Sequence, residues 1–320
     1  MLPNGRRLGA HLPLGSGMVR AADRAAAIGA SAIQVFTDNP TSWRRRPTLP
    51  AELPAFRDRL AALDVAPLAV HAPYLVNLAG PEPVFFERSV AVLVNELRVA
   101  EAYGARFVNV HIGSHRGDGV EAGAARLAEG MREVQRRLDG AARDVTLVLE
   151  NGSGGGFGLG ATIGELVLID RAAEAAGVDR ARVGFCFDTA HLWGAGHPID
   201  TPAGVDDLLE AFDHALGLGR LRMVHLNDSR SECGSRADRH EHVGAGRIGA
   251  DGLRRMLEHP GLGDVSYYLE TPGMDEGYDE VNVRRVLDIA AGRPLAAMPP
   301  EAFHVRSSRG RSAPAEGDGA

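Results

Sequence analysis

The stretch FCFDTAHLWGAG, residues 185–196, ends a short apolar run on Asp188 and places His191 three residues later. An acid at such a point can cap the helix that follows by accepting backbone N–H bonds. It can also hold a cation, and the rest of the chain supplies company for that second use. Apolar runs end on or lead into His71, His111, Glu150, Asp188, His225 and Glu270, while His191, Asp238 and His240 lie in the polar stretches that follow. Four carboxylates crowded together repel and raise one another's pKa unless cations lie between them. Imidazole mixed with carboxylate suits zinc, and manganese or iron takes the same ligands. In RADRHEH, Asp238 and His240 are two residues apart, so an extended loop would aim both side chains the same way.

The elements that must position these groups follow a repeat. LGAHLPL, AIQVFTD, PLAVHAPY, FVNVHIGS, TLVLENG, FCFDTAH, MVHLND and YYLETP are β-rich runs separated by helical stretches such as FERSVAVLVNELRVAEAYG and AARLAEGMREVQRRL. Several helical stretches close on glycine, as in EAYG, which suits a left-handed C-terminal cap. From His71 the steps to His111, Glu150, Asp188 and His225 are 40, 39, 38 and 37 residues. The step to Glu270 is 45, and its surplus falls in SRSECGSRADRHEHVGAG, an enlarged loop. Right-handed crossovers keep such strands parallel and bring their C-terminal ends to one face. The expected fold is therefore α/β, a single (β/α)8 TIM barrel over residues 1–298 with its metal ligands at that face. An open doubly wound sheet would instead spread the same residues along an edge. His115, His197, His214, His242, His259 and His304 fall off the repeat and read as ordinary core or surface histidines.

Composition narrows the chemistry. With 44% hydrophobic and 24% charged residues, the 320-residue chain reads as a soluble globular protein. No apolar leader or membrane-length run is visible, which gives a cytoplasmic expectation. Cys186, inside an apolar run, reads as a small core residue, and Cys233 as a loop thiol. All 35 basic residues are arginine. Schiff-base chemistry, lysine-driven β-elimination and the P-loop are thereby set aside, since each needs a side-chain amine. A net charge of −7 argues against a general nucleic-acid coat protein but leaves room for a local basic surface.

HAPYLVNLA, NVHIGSH, LVLENGSGGG, FCFDTAHLWGAG, MVHLNDS, SRADRHEHVGAG and YLETP resemble the successive signature segments of the endonuclease IV family of apurinic/apyrimidinic endonucleases, from about Arg7 to Glu270. SRADRHEHVGAG and FDTAH carry the most specific part of that likeness. The resemblance implies three Zn2+ ions. His71 and His111 would hold one, with Glu150 bridging to a second that also takes Asp188, His225 and Glu270. His191, Asp238 and His240 would hold the third. It further implies catalytic roles for Glu150 and Glu270, and as substrate a duplex DNA cut 5′ to an abasic site, leaving a 3′-hydroxyl and a 5′-deoxyribose phosphate. Removal of blocked 3′ ends is expected as a second activity. The glycine-rich run after Glu150, GSGGGFGLG, departs from the family pattern.

TDNPTSWRRRP follows the second strand, where Arg44, Arg45 and Arg46 suit phosphates and Trp43 suits stacking or wedging. The alternative is a solvated basic loop with Trp43 packed inward. Gln34, Tyr74 and Asn77 match the family's DNA-facing segments, with rim packing the alternative for Tyr74 and backbone capping for Asn77. The protein is expected to act as a monomer. The tail from 299 to 320, rich in Gly, Ser, Pro and charge, reads as disordered. Two rival readings are a metal-dependent sugar isomerase or epimerase on the same barrel, and a non-catalytic protein that binds abasic DNA.

Overall fold

Each apolar run of the repeat is a short strand buried along almost its whole length. In the computed structural model, which describes residues 1–304, these are β1 (Leu8–His11), β2 (Ala32–Val35), β3 (Leu68–His71), β4 (Phe107–His111), β5 (Thr146–Glu150), β6 (Val183–Asp188) and β7 (Leu221–His225). Two short strands, β8 (Asp228–Ser229) and β9 (His240–Glu241), pair antiparallel within the enlarged loop, and β10 (Ser266–Leu269) completes the barrel. The eight long strands close in the order β1-β10-β7-β6-β5-β4-β3-β2, and every pairing is parallel. Register sets the rim: His111 pairs with Glu150, and Asp188 with His225, so strand-end side chains stand side by side.

The helices are α1 (Met18–Ala27), α2 (Leu53–Ala62), α3 (Pro83–Tyr103), α4 (Val120–Leu138), α5 (Ile163–Ala175), α6 (Thr189–Ala195), α7 (Pro202–Leu216), α8 (Gly249–Glu258) and α9 (Tyr278–Ala290). Their punctuation follows the chain. Proline opens α3, and Gly104 closes it in the left-handed conformation. Thr162 caps α5 by accepting from the Glu165 N–H, and Thr201 caps α7 in the same way from Gly204.

Inside the barrel, Ala32, Ala69, Phe107, Val148, Cys186, Met223 and Tyr268 form one dry cluster, separate from the larger core between strands and helices. Cys186 is thus a core residue, its thiol pushed up to about 11 by burial. This plug fixes the floor on which the strand-end groups rest. Among the described residues no helix is long and apolar enough to cross a membrane.

The C-terminal stretch departs from expectation. Residues 299–304 are folded rather than loose: Pro300–His304 form a 3-10 turn that buries Ala302 against the barrel. The remainder of the expected tail, 305–320, lies outside the described residues.

Candidate metal centre

The sequence of β6 and its turn shows how one residue serves both structure and site. Asp188 caps α6, its Oδ1 accepting from the His191 N–H at 3.0 Å. Its Oδ2 faces the other way, 3.4 Å from His240 Nε2 and 3.9 Å from His225 Nδ1. The local cap and the site are built from different oxygens of the same carboxylate.

Three groups of ligand atoms converge on the rim, each within 4.8 Å: His71, His111 and Glu150; Glu150, Asp188, His225 and Glu270; and Asp188, His191 and His240. Glu150 belongs to two of them. Its Oε2 lies 3.4 Å from His71 Nε2 and 3.5 Å from His111 Nε2, and its Oε1 lies 3.5 Å from His225 Nδ1. Asp238 adjoins the third group, with Oδ1 3.3 Å from His191 Nε2 and 3.1 Å from His240 Nε2. All nine strand-end and loop residues expected at the site therefore meet. Asp188 stands between the second and third groups.

The donor set fits metal ions in a way that chance histidines do not. His71 Nδ1 donates to the Ala72 carbonyl, His191 Nδ1 to that of Asn151 and His240 Nδ1 to that of Glu270, while His225 Nε2 donates to the Gln34 side-chain oxygen. In each ring the remaining nitrogen is aimed at the shared centre, which is how an outer hydrogen bond selects the ligating tautomer. His71 Nε2, His225 Nδ1, His240 Nε2 and Glu150 Oε1 are buried and make no hydrogen bond. Buried polar atoms left so are costly unless something else satisfies them. His111 and Asp238 keep about a third of their side chains exposed, 32% each, so the centre opens on the rim.

Electrostatics point the same way. Burial alone would lift the Glu150 carboxyl, yet the imidazoles of His111 and His225 hold it well below the usual carboxylate range. Asp188 is likewise lowered, by His191 and His240 against the effect of burial. Burial would lower His191, but Asp188 and Asp238 raise it to about 9. Each sign holds in reserve a mutual attraction that a cation would replace.

Three asparagines behind the carboxylates orient them. Asn109 Nδ2 donates to Glu150 Oε2 at 2.6 Å, and Asn227 Nδ2 donates to Asp188 Oδ2 at 2.8 Å. Asn227 Oδ1 accepts from the Glu270 N–H, and Asn151 Oδ1 accepts from the Asp188 N–H. One glycine of the glycine-rich loop has its own reason, since a side chain at Gly155 would strike the Arg236 carbonyl, and in α6 a side chain at Gly194 would strike the Ala237 carbonyl. The two glycines let the loop after β5 and the helix α6 press against the segment that carries Asp238.

His11 is a site residue that the sequence reading passed over. It is buried at the end of β1, with Nδ1 3.4 Å from Glu270 Oε1 and 3.0 Å from Gln34 Nε2. The strand-end rule that selects His71 and His111 also selects His11, since LGAH ends on it.

The residues expected to face DNA separate into two kinds. Gln34 is fully buried, donates to Glu270 Oε1 at 2.7 Å and accepts from His225, so it joins two site residues from below instead of reaching the surface. Arg45 is largely buried against Glu96 and the carbonyls of Asn39 and Ser42, bracing its own loop. Asn77 accepts from the Ala79 and Ser114 N–H groups and donates to the Ser114 carbonyl, which staples two rim loops together. Arg46 pairs with Asp38 at the surface. Arg44 is exposed; Trp43, half-buried, stacks on the exposed ring of Phe85 at 6.2 Å. Tyr74 is partly exposed and stacks against His111.

Beside the centre, His11, Phe36, Pro40, Tyr74, Thr271 and Met274 line a cavity of about 270 Å³. A larger one of about 640 Å³ lies at the opposite mouth, around Arg6, Arg57 and Arg106, and contains none of the ligand groups.

Comparison with known proteins agrees with this fold. Residues 22–290 match a family described as the xylose isomerase-like TIM barrel. A probable endonuclease 4 of Methanoculleus marisnigri is 38% identical over 283 residues, covering 88% of this chain and 98% of that protein. Endonuclease IV from Thermus thermophilus, a crystal structure, superposes with a TM-score of 0.76 at 37% identity, over 89% of this chain and 99% of the other. A D-tagatose 3-epimerase-like protein superposes at 0.64 with 18% identity, a likeness of fold alone. With its barrel and relatives taken together, the chain belongs to the endonuclease IV family.

Proposed function

We propose that this DNA-repair endonuclease hydrolyses the phosphodiester 5′ to an abasic site in duplex DNA, leaving a 3′-hydroxyl and a 5′-deoxyribose phosphate, and that it removes blocked 3′ ends at the same centre. The observation that carries the reading is the sharing of Glu150 between two ligand groups beside a third, at a rim where His111 and Asp238 each keep 32% of their side chains exposed. Three zinc ions, or manganese or iron at some positions, would be held by His71, His111 and Glu150; by Glu150, Asp188, His225 and Glu270; and by His191, Asp238 and His240. Clustered cations of this kind neutralise phosphate oxygens, stabilise a departing alkoxide and acidify water, so no protein nucleophile is needed.

The chain's own groups supply the rest. Glu150 and Glu270 orient the attacking water, with Asn109 and Gln34 fixing their oxygens. Arg44, Arg46 and Trp43 meet the DNA backbone and groove, and Tyr74 borders the cavity that receives the flipped abasic sugar. Lack of a base lowers the cost of that flip. The enzyme acts as a monomer. Support for a sugar epimerase is limited to the fold, since that likeness stands at 18% identity.

The test is cleavage of a duplex oligonucleotide bearing one tetrahydrofuran residue, with metal-loaded protein and a chelated control. The analogue cannot undergo β-elimination. One metal-dependent cut 5′ to the lesion, ending in a 3′-hydroxyl, is the expected result. Folded, metal-loaded protein that binds this DNA without cutting would be a damage-binding protein instead.

A further inference from the structure

His242 stands off the barrel repeat, yet it is wholly buried and doubly bonded. Its Nδ1 accepts from Asn282 Nδ2 at 3.0 Å, and its Nε2 donates to the Ala302 carbonyl at 2.9 Å. The ring packs between Tyr278 and Phe303. One residue on, the Val243 N–H donates to Asn282 Oδ1 at 2.9 Å, and the Val243 carbonyl accepts from Arg285 Nε. Arg285 then donates to the Ala296 carbonyl at 2.6 Å, while Leu295 occupies the space that any side chain at Gly244 would need.

These contacts converge on one segment. Residues 242–244 follow Asp238 and His240 directly in the chain, and they are packed against α9 and against Leu295, Ala296, Ala302 and Phe303. The chain from Leu295 to Phe303 lies beyond the residues matched by the family, 22–290. A loop holding two ligands loses conformational entropy each time it closes on an ion, and a brace that holds it closed beforehand removes that cost. We propose that residues 295–303 are a clasp, fastened through His242 and Arg285, that positions Asp238 and His240 and sets how tightly the third metal ion is kept. The inference rests on the three-ion reading given above. His242 is a positioning residue, since it acts through its loop and not on substrate.

Three substitutions in the full chain test it. Ala302→Arg evicts the clasp by placing a charge where Ala302 is buried, and the substituted position lies outside the barrel strands and the helices α1–α9. His242→Leu removes both hydrogen bonds, and His242→Gln restores one donor and one acceptor. Metal-loaded proteins are mixed with a chromophoric chelator and the release of each ion is timed, while hydrogen exchange is followed over residues 238–246 of the metal-free forms. Ala302→Arg and His242→Leu should release one ion of three about tenfold faster, leave the other two unchanged and speed exchange in that loop, with His242→Gln close to the parent. Unchanged release and exchange in Ala302→Arg overturns the clasp. Fewer than three ions in the parent protein would instead overturn the three-ion reading, and the exchange measurement would then decide the brace by itself.

Discussion

Glu150 illustrates how much can depend on one side chain. It turns one oxygen toward His71 and His111 and the other toward His225. Glu150→Gln keeps the shape and the contact with Asn109 but removes the charge that two ions would share. Strand cleavage should fall by at least about a hundredfold, with circular dichroism unchanged and metal content reduced. Gln34 offers a contrasting case. Its hydrogen bonds to Glu270 and His225 predict that Gln34→Leu weakens metal retention about 10- to 100-fold and leaves the salt dependence of DNA binding as it was. A residue that touched phosphate would give the reverse pattern. In sequence Gln34 reads as DNA-facing, and its burial is not legible there because its partner Glu270 is 236 positions away in the chain.

At the scale of the element, the loop from Thr37 to Arg46 separates neighbours that look alike in sequence. Arg44 is exposed, and Arg44→Ala should lower DNA affinity and reduce the slope of log affinity against log salt by about one. Arg45 holds the loop to α3 through Glu96, a carboxylate that is only 1% exposed and also accepts from Thr37. Arg45→Ala leaves that acid without its cation, and thermal unfolding should show a loss of about 3 kcal/mol. Burial already raises the Glu96 pKa, and losing Arg45 raises it further. Three consecutive arginines thus read as one basic patch in sequence, while packing gives the middle one an inward task.

For the molecule as a whole, metal and proton compete for the same rim. In the metal-free protein His191 is raised to about 9, so at pH 7 it carries a proton that an ion must displace. Calorimetric titration with zinc in two buffers of different ionisation enthalpy should report proton release, and affinity should climb with pH until about 9. Equal heats in both buffers would contradict this. Because the folded value lies above the ordinary 6.5, the His191 ion pairs stabilise the metal-free fold fully below 6.5, and that contribution disappears as pH rises through about 9. The sequence by itself determined the barrel and the meeting of nine strand-end and loop residues, because one βα unit per step of about 40 residues sends every strand end to the same face. It also carried the dual use of Asp188, since the cap is local to β6 and its turn and the repeat puts the strand end on the shared face, although the imidazoles that meet its second oxygen come from β7 and β9. What only the tertiary structure decided is which other polar residues turn inward: Gln34 beneath Glu270, Arg45 against Glu96, Asn77 across two loops, and the folded stretch past residue 298 over His242. Each of these depends on partners dozens to hundreds of residues distant, where neither periodicity nor spacing records a contact.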